Sequence, residues 1–171
     1  DLITAYSSSG ISGLGNEAIL VDSGTSSVSL ANYLSAATSG IVSATLSDGD
    51  MATLANLNED DNAYTITISD TSVDASALNT LDSKTTVTIN AAAVTTLSGS
   101  ASDLNTAYSS LGISGLGNEA VTISDISIDA SVLNTLDSNT TGIIDASTVT
   151  TLSGSASDLN TAYSSSGISG L

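Results

Sequence analysis

Hydrophobic and polar residues alternate over several short stretches of the chain. Ile66 and Ile68 are separated by Thr67 and preceded by Thr65, and the same two-residue period recurs from Val121. Alternation of this kind predicts β-strands that bury one face and expose hydroxyl groups on the other. The stretches of this type are 19–21, 41–45, 64–69, 86–89, 120–124 and 142–144, with centres about 22 residues apart except for one step of about 34.

Helix-start signals lie between these stretches. At four places a short side chain with an oxygen atom follows Val or Ile and precedes Ala and a V/L-x-x-L pattern. Such an oxygen can accept the free amide hydrogens of a first helical turn, so each place predicts a helix N-cap. The four residues are Asp74, Asn90, Asp129 and Asp145.

A second helix signal is the pair Ser100 and Asp103, which resembles a capping box and recurs as Ser155 and Asp158. Around it, apolar residues recur with steps of four and three, which predicts one helix face. The residues of this predicted stripe are Leu97, Ala101, Leu104, Tyr108 and Leu111, with Gly99 interrupting it near its start.

The chain is internally repetitive. Residues 75–116 and 130–171 are identical at 34 of 42 positions, and SGSASDLNTAYSS at 98–110 returns unchanged at 153–165. Leu2, Leu57, Leu104 and Leu159 are aligned as equivalent residues, which divides a single fragment, 1–171, into units at about 2–56, 57–103, 104–158 and a partial 159–171. Because 1–14 and 158–171 differ at one residue, we expect a piece of a longer tandem array.

Helices this short and this rich in Ser and Thr are marginal in isolation, so they need neighbours to pack against. Stacked repeats supply such neighbours. The predicted fold is therefore an α/β repeat, a β/α solenoid with stacked parallel strands and short helices and with about 22 and about 33 residues in its two kinds of coil.

The composition excludes most chemistry. The chain has no His and no Cys, so it lacks zinc and haem ligands of those types, disulfides and the usual activated nucleophiles. A single basic residue, Lys84, cannot neutralise a row of phosphates, which argues against nucleic-acid binding. We expect no enzyme activity and no cofactor. No run of 18 apolar residues is present, so we expect no membrane insertion.

The charge and the hydroxyl content suggest a location. Eighteen acidic residues give a net charge of −17, and 34 Ser with 23 Thr make a polar surface that carries few cations. High ionic strength and divalent cations relieve the self-repulsion of such a surface. These properties favour a salty setting outside the cell.

The segments SGSASDLNTAYSS, GISGLGNEAVTISD and DASVLNTLDS resemble repeats of very large Ser/Thr-rich surface or secreted proteins of marine bacteria, cyanobacteria in particular. The resemblance covers essentially the whole chain. It implies an exported adhesin-like, surface-coat or filament-forming role, and it brings no catalytic residues with it. The nonapeptide calcium repeat of related secreted proteins is absent.

Calcium is the one metal for which the sequence offers candidate ligands. Asp70 and Asp74 bracket one bend, and Asp125 and Asp129 bracket its copy. Oxygen-rich turns bind this hard cation, but two carboxylates are few for a site that needs six or more ligands. Helix capping is therefore the favoured interpretation. The acidic clusters at 48–50 and 59–61 are interpreted as solvated turns.

Two other functions would use the acidic or hydroxyl-bearing residues. A carboxylate pair for glycoside hydrolysis is not favoured, because these acids lie on repeated turns without an aromatic sugar platform. Rows of hydroxyls would form an ice-binding face if the strands stacked in register, although Thr is also common on any exposed sheet. The rows are Thr65 with Thr67, Thr86 with Thr88, and Thr122 with Ser124.

The sequence thus favours a structural extracellular repeat module that supplies length and self-associates head to tail with identical or neighbouring repeats. The alternative is a calcium-dependent or ice- or glycan-binding adhesin repeat.

Overall fold

Short helices alternate with short strands through residues 2–171, which the computed structural model describes. Within these residues the helices are α1 (Leu2–Ser7), α2 (Val28–Ala37), α3 (Met51–Leu54), α4 (Ala75–Asp82), α5 (Ala101–Ser109), α6 (Ala130–Asn139) and α7 (Ala156–Ser164). The strands are β1 (Ile19–Leu20), β2 (Val42–Thr45), β3 (Ala63–Thr65), β4 (Ser72–Asp74), β5 (Ile89–Asn90), β6 (Thr96–Gly99), β7 (Ile113–Ser114), β8 (Ala120–Ile123), β9 (Ser127–Asp129), β10 (Ile144–Asp145), β11 (Thr151–Ser153) and β12 (Ile168–Ser169).

The strands form small, separate sheets in which neighbours run parallel. The orders are β1-β2-β3, β4-β6-β8-β10-β12, β5-β7 and β9-β11. The α/β class with parallel strands is therefore as the sequence predicts. Paired residues are separated by a nearly constant length of chain, as in Ser43 with Ala63 and Leu97 with Val121. The predicted coil of about 33 residues is wrong for the described pairs. A strand that the sequence does not predict, β6, divides the long interval between the predicted strands at 86–89 and 120–124.

The two-residue alternation is confirmed in the burial of the side chains where it is clearest. Ile66 and Ile68, which follow the end of β3, are buried, whereas Thr65 and Thr67 are exposed. Val121 and Ile123 are likewise buried between exposed neighbours. A strand places successive side chains on opposite faces, so this sequence pattern is enough to fix which face is buried.

Four predicted helix starts are confirmed by their hydrogen bonds. Asp74 Oδ1 accepts from the amide of Ala77 at 3.1 Å, and Asp129 Oδ1 accepts from the amide of Ser131 at 2.9 Å. In the two copies of the Ser-x-x-Asp signal, the amide of the Asp donates to the Ser hydroxyl at 3.1 Å. Each cap satisfies one of the amide groups that a first helical turn leaves without a partner.

Two other predicted helix starts are wrong. Asn90 Oδ1 accepts from the amide of Ala92 at 3.1 Å, and Asp145 Oδ1 accepts from the amide of Ser147 at 3.0 Å, but each bond closes a turn. The chain enters β6 or β11 directly after this turn, which leaves no room for a helix. The apolar residues that suggest a helix face, such as Val94, line the turn and the strand instead.

The predicted apolar stripe of the Ser100 helix is partly wrong. Leu97 belongs to β6, and Leu111 is 96% exposed beyond the end of α5. The helix cannot include Leu97 because Gly99 has a φ of 145°, which a right-handed helix does not allow. The buried residues of α5 are Ala101, Leu104 and Ala107.

Neighbouring helices pack in chain order from α4 to α7, over a core of aliphatic side chains that extends from Ile19 to Ala162. Asparagine side chains join them: Asn79 Nδ2 donates to the carbonyl of Asp103, and Asn134 Nδ2 donates to the carbonyl of Asp158, both at 3.0 Å. None of the helices between residues 2 and 171 has the length and hydropathy needed to cross a bilayer.

Candidate functional site

The four calcium candidates all lie at helix N-termini, where they act in two ways. Asp74 and Asp129 cap the helices that follow them, as described above. Asp70 and Asp125 instead reach a helix that precedes them in the chain. Asp70 Oδ2 accepts from the amide of Met51, and Asp125 Oδ2 accepts from the amide of Ala101, both at 2.7 Å.

Asp48 has the same role as Asp70 and Asp125. Its Oδ2 accepts from the amide of Val28 at 2.7 Å, so the sequence-based interpretation of this residue as part of a solvated turn is wrong. The amide groups at a helix N-terminus carry partial positive charge, and a carboxylate held there is stabilised by it. Three helices, α2, α3 and α5, therefore begin beneath an aspartate from a later segment.

Two other helices begin beneath a glycine. Gly99 lies over the start of α4, where a Cβ would be 3.4 Å from the Cβ of Ala75, and Gly154 lies over the start of α6 at 3.3 Å from that of Ala130. The φ angles of 145° and 140° also favour glycine. A helix start is therefore covered in one of two ways. An aspartate from a later segment accepts from its first amide, or a glycine from a later segment packs closely on its first residue.

The acidic residues are dispersed through the described structure. Among residues 2–171 there is no group of three or more acidic side chains with the spacing of a metal site. Asp70 and Asp74 are bonded to the amides of different helices, and hydrogen bonds from Ser131 hold the pKa of Asp129 below its usual value. Calcium binding by these four aspartates stays a prediction.

The other acidic clusters also have local partners. Asp50 caps α3 by accepting from the amide of Thr53 at 2.9 Å, and hydrogen bonds from Thr53 lower its pKa. Asp60 accepts from Lys84 Nζ at 2.7 Å in an ion pair at the surface. The interpretation as a solvated turn is thus wrong for Asp50, whereas Asp60 is largely exposed.

A buried acidic site was missed by the sequence analysis. Glu119 is 0% exposed, and its Oε2 accepts from the hydroxyl of Tyr108 at 3.0 Å and from the amides of Gly117 and Asn118. Its Oε1 has no hydrogen-bond partner in the described structure. Burial, followed by the neighbouring carboxylate, raises the pKa of Tyr108 above its usual value.

The same arrangement occurs near the N-terminus. Tyr6 donates to Glu17, which also accepts from the amides of Gly15 and Asn16. The bond raises the pKa of Tyr6 to about 12 and lowers that of Glu17 to about 2. The signal was present in the sequence, because both copies of GLGNEA place a glutamate at the same distance after a tyrosine.

The hydroxyl rows do not form a continuous threonine face. Thr65 lies beside Thr45, but Thr67 pairs with Asn90, and Thr122 lies between Ser98 and Asp145. Thr86 and Thr88 precede β5 and belong to no strand. Carboxylate and amide side chains therefore interrupt the hydroxyls on which the ice-binding alternative depends.

Comparisons with protein-family models, with curated proteins and with solved structures found no match for this chain.

Proposed function

We propose that the chain is a structural extracellular module of a bacterial surface protein or filament, whose function is to supply length and to self-associate head to tail. Its architecture in this proposal is a β/α solenoid whose coils have one nearly constant length, in place of the two alternating lengths predicted from the sequence. The units at about 2–56, 57–103, 104–158 and 159–171 remain our division of the sequence.

The observation that carries the proposal is the spacing of the paired strands. Val73 lies beside Leu97, which lies beside Val121, which lies beside Ile144, each about one coil further along the chain. A chain that pairs each strand with one at a nearly constant later position adds layers in one direction. Such growth yields length, with the aliphatic core extending along the direction of growth.

The use of the acidic residues also supports a structural role. Aspartates from later segments lie at the starts of α2, α3 and α5, where each stabilises the packing of one segment on another. A single catalytic or binding site would not require the same aspartate at three separate helix starts. The buried Glu119 bonds to groups of its own loop and to Tyr108, which favours a structural role for it as well.

The net charge of −17 supports an extracellular setting, because repulsion among aligned modules is relieved by salt. Divalent cations would have the same effect. The calcium concentration is therefore varied in the test of assembly.

The experiment is sedimentation and negative-stain microscopy of the 171-residue chain from micromolar to millimolar concentration, with calcium and with a chelator. We expect rods whose length increases in steps of one molecule. A chain that stays monomeric over the whole range in both conditions would contradict self-association. Assembly that appears only with calcium and is reversed by the chelator would support the calcium-dependent alternative.

A further inference from the structure

The two ends of the described chain present strand edges that fit each other. β1 is the outer strand of its sheet, and Leu20 in it is 69% exposed. β11 pairs with β9 on one side only. Edges of this kind offer unpaired backbone groups to another strand.

The sequence of α7 also occurs in the interior of the chain, where the structure shows which segment packs against it. The segment 98–110 is identical to 153–165, and the strand β6 that leads into it pairs in parallel with β8, with Leu97 beside Val121. β8 is followed by the segment that packs on α5. The N-terminal sequence GLGNEAI matches the GLGNEAV that leads into β8, which makes Ile19 of β1 the counterpart of Val121.

From these observations we propose that a second copy of this chain covers α7 through its residues 15–50, and that residues 158–171 of the first copy displace residues 2–14 of the second. In the joint, β11 pairs with β1 of the second copy in the register of β6 with β8, so that Leu152 lies beside Ile19. This proposal rests on the head-to-tail association proposed above.

The displaced segment is the weaker occupant of that surface. Residues 1–14 differ from 158–171 at one position, so the two segments offer nearly the same side chains to residues 15–50. However, α1 has no buried residue, and no strand of residues 2–171 pairs with the outer edge of β1. The incoming segment brings β11 to that edge, and release of the displaced residues returns their conformational entropy.

Tyrosine contacts follow the same pattern. Tyr6 and Tyr108 each bond to the glutamate of the GLGNEA sequence that follows, whereas Tyr163 is 66% exposed. In the joint, Tyr163 takes the place of Tyr6 and donates to Glu17 of the second copy. This bond replaces the one that Tyr6 loses, so it positions the incoming segment without adding a hydrogen bond.

The one sequence difference provides a test of exchange on the full chain. Ile3 is 46% exposed and lines an apolar cavity with Leu20 and Leu30, whereas Asn160 is the corresponding residue of α7. Ile3→Ser removes the apolar side chain from this cavity without adding the amide with which Asn105, at the same helix position, donates to the carbonyl of Val132. It weakens the segment that must leave, so we expect association at roughly tenfold lower concentration by sedimentation. The control is Leu111→Ser, at a fully exposed position far from both ends, which should change nothing.

The register is tested by cysteines, since the chain has none of its own. Ser98 lies beside Thr122 in the interior pair, and the corresponding positions in the joint are Ser153 and Leu20. A mixture of Ser153→Cys and Leu20→Cys chains should form disulfide-linked pairs under mild oxidation. A mixture of Ser153→Cys with Thr45→Cys, a residue one strand further inside, should not.

The outcomes separate this proposal from the broader one. Stronger association of Ile3→Ser together with the selective disulfide supports exchange. Association that Ile3→Ser leaves unchanged or weakens, or that gives no selective disulfide, overturns exchange and leaves head-to-tail association standing. If the chain and all variants remain monomeric, both proposals are overturned. Circular dichroism melting of each variant checks that the remaining segments are folded.

Discussion

Helices α5 and α7 have the same thirteen-residue sequence around them and the same local structure. Both begin after a serine whose hydroxyl accepts from the amide of the aspartate three residues later, and both end at a serine with an extended backbone. Their surroundings differ. Leu104 is 0% exposed and Ala101 is buried, whereas Leu159 is only half-buried and Ala156 is exposed.

The comparison separates what a segment encodes by itself from what its neighbours add. Caps and helix bounds are identical because they depend on residues within a few positions. Burial differs because α5 packs against both α4 and α6, while α7 packs against α6. Three residue pairs therefore serve as matched probes of the added neighbour: Leu104 with Leu159, Tyr108 with Tyr163, and Ala101 with Ala156.

The largest expected effect is at the leucines. Leu104→Ala removes a fully buried side chain from between two helices, so we expect the free energy of unfolding to fall by about 3 kcal/mol. Leu159→Ala removes a partly exposed one and should cost about 1 kcal/mol. Urea denaturation followed by far-ultraviolet circular dichroism, at concentrations where the chain is monomeric, measures both.

The leucine pair also tests whether the neighbour is the cause of the difference. If the joint forms as proposed, Leu159 becomes buried at high concentration and the two costs should converge. Equal costs in the monomer would contradict the view that packing on α6 alone leaves this surface incomplete.

Local chemistry explains which parts of the fold the sequence could predict. The helix starts at Asp74, Ser100, Asp129 and Ser155 follow from a side-chain oxygen and the amides next to it, and the buried face of β8 follows from alternation. Leu97 is misassigned because V-x-x-L spacing fits a helix face as well as a turn that leads into a strand. What excludes the helix is the positive φ of Gly99, which packs on Ala75 at the start of the preceding helix.

The candidate site shows the same limit. Asp74 and Asp129 were correctly singled out as cap residues, but the helices bonded by Asp70 and Asp125 begin at Met51 and Ala101, and no local pattern names them. The alignment of Leu57 with Leu104 was likewise made from local sequence alone. In the structure it is Leu54 that has the position of Leu104, because each lies three residues after the first residue of its helix, Met51 or Ala101. The amide of each first residue donates to an aspartate from a later segment.

The second effect is at the tyrosines. Tyr108→Phe removes the donor to the buried carboxylate of Glu119, so we expect a loss of about 1.5 kcal/mol at neutral pH. Tyr163→Phe removes an exposed hydroxyl and should leave the stability of the monomer within about 0.5 kcal/mol of the parent. The same denaturation experiment compares them, and similar losses for both would contradict the role assigned to Glu119.

The tyrosines also predict a dependence on alkaline pH. Burial raises the pKa of Tyr108 in the folded chain, so its contribution is present below the ordinary tyrosine pKa of about 10 and is lost as the pH rises above that value. The stability of Tyr108→Phe should therefore fall less steeply than that of the parent above a pH of about 10. A slope that does not change would mean that another group determines the alkaline decline.

The smallest effect is at the helix starts. The amide of Ala101 donates to Asp125, whereas the amide of Ala156 receives no carboxylate from a later segment within residues 2–171. Hydrogen exchange followed by nuclear magnetic resonance should therefore find Ala101 more slowly exchanging than Ala156, although their local sequences are identical. Asp125→Ala should cost about 1 kcal/mol by removing an acceptor from the positive end of α5.

A matched control for Asp125→Ala is Ser124→Ala, which changes the preceding exposed residue and leaves the carboxylate in place. In Asp125→Ala the exchange rate of the Ala101 amide should approach that of Ala156, while Ser124→Ala should preserve the difference. If the amide of Ala101 still exchanges slowly in Asp125→Ala, its protection comes from packing against α6 and not from the hydrogen bond to Asp125. Because the two helices share their sequence, that result would assign the whole difference between them to buried area.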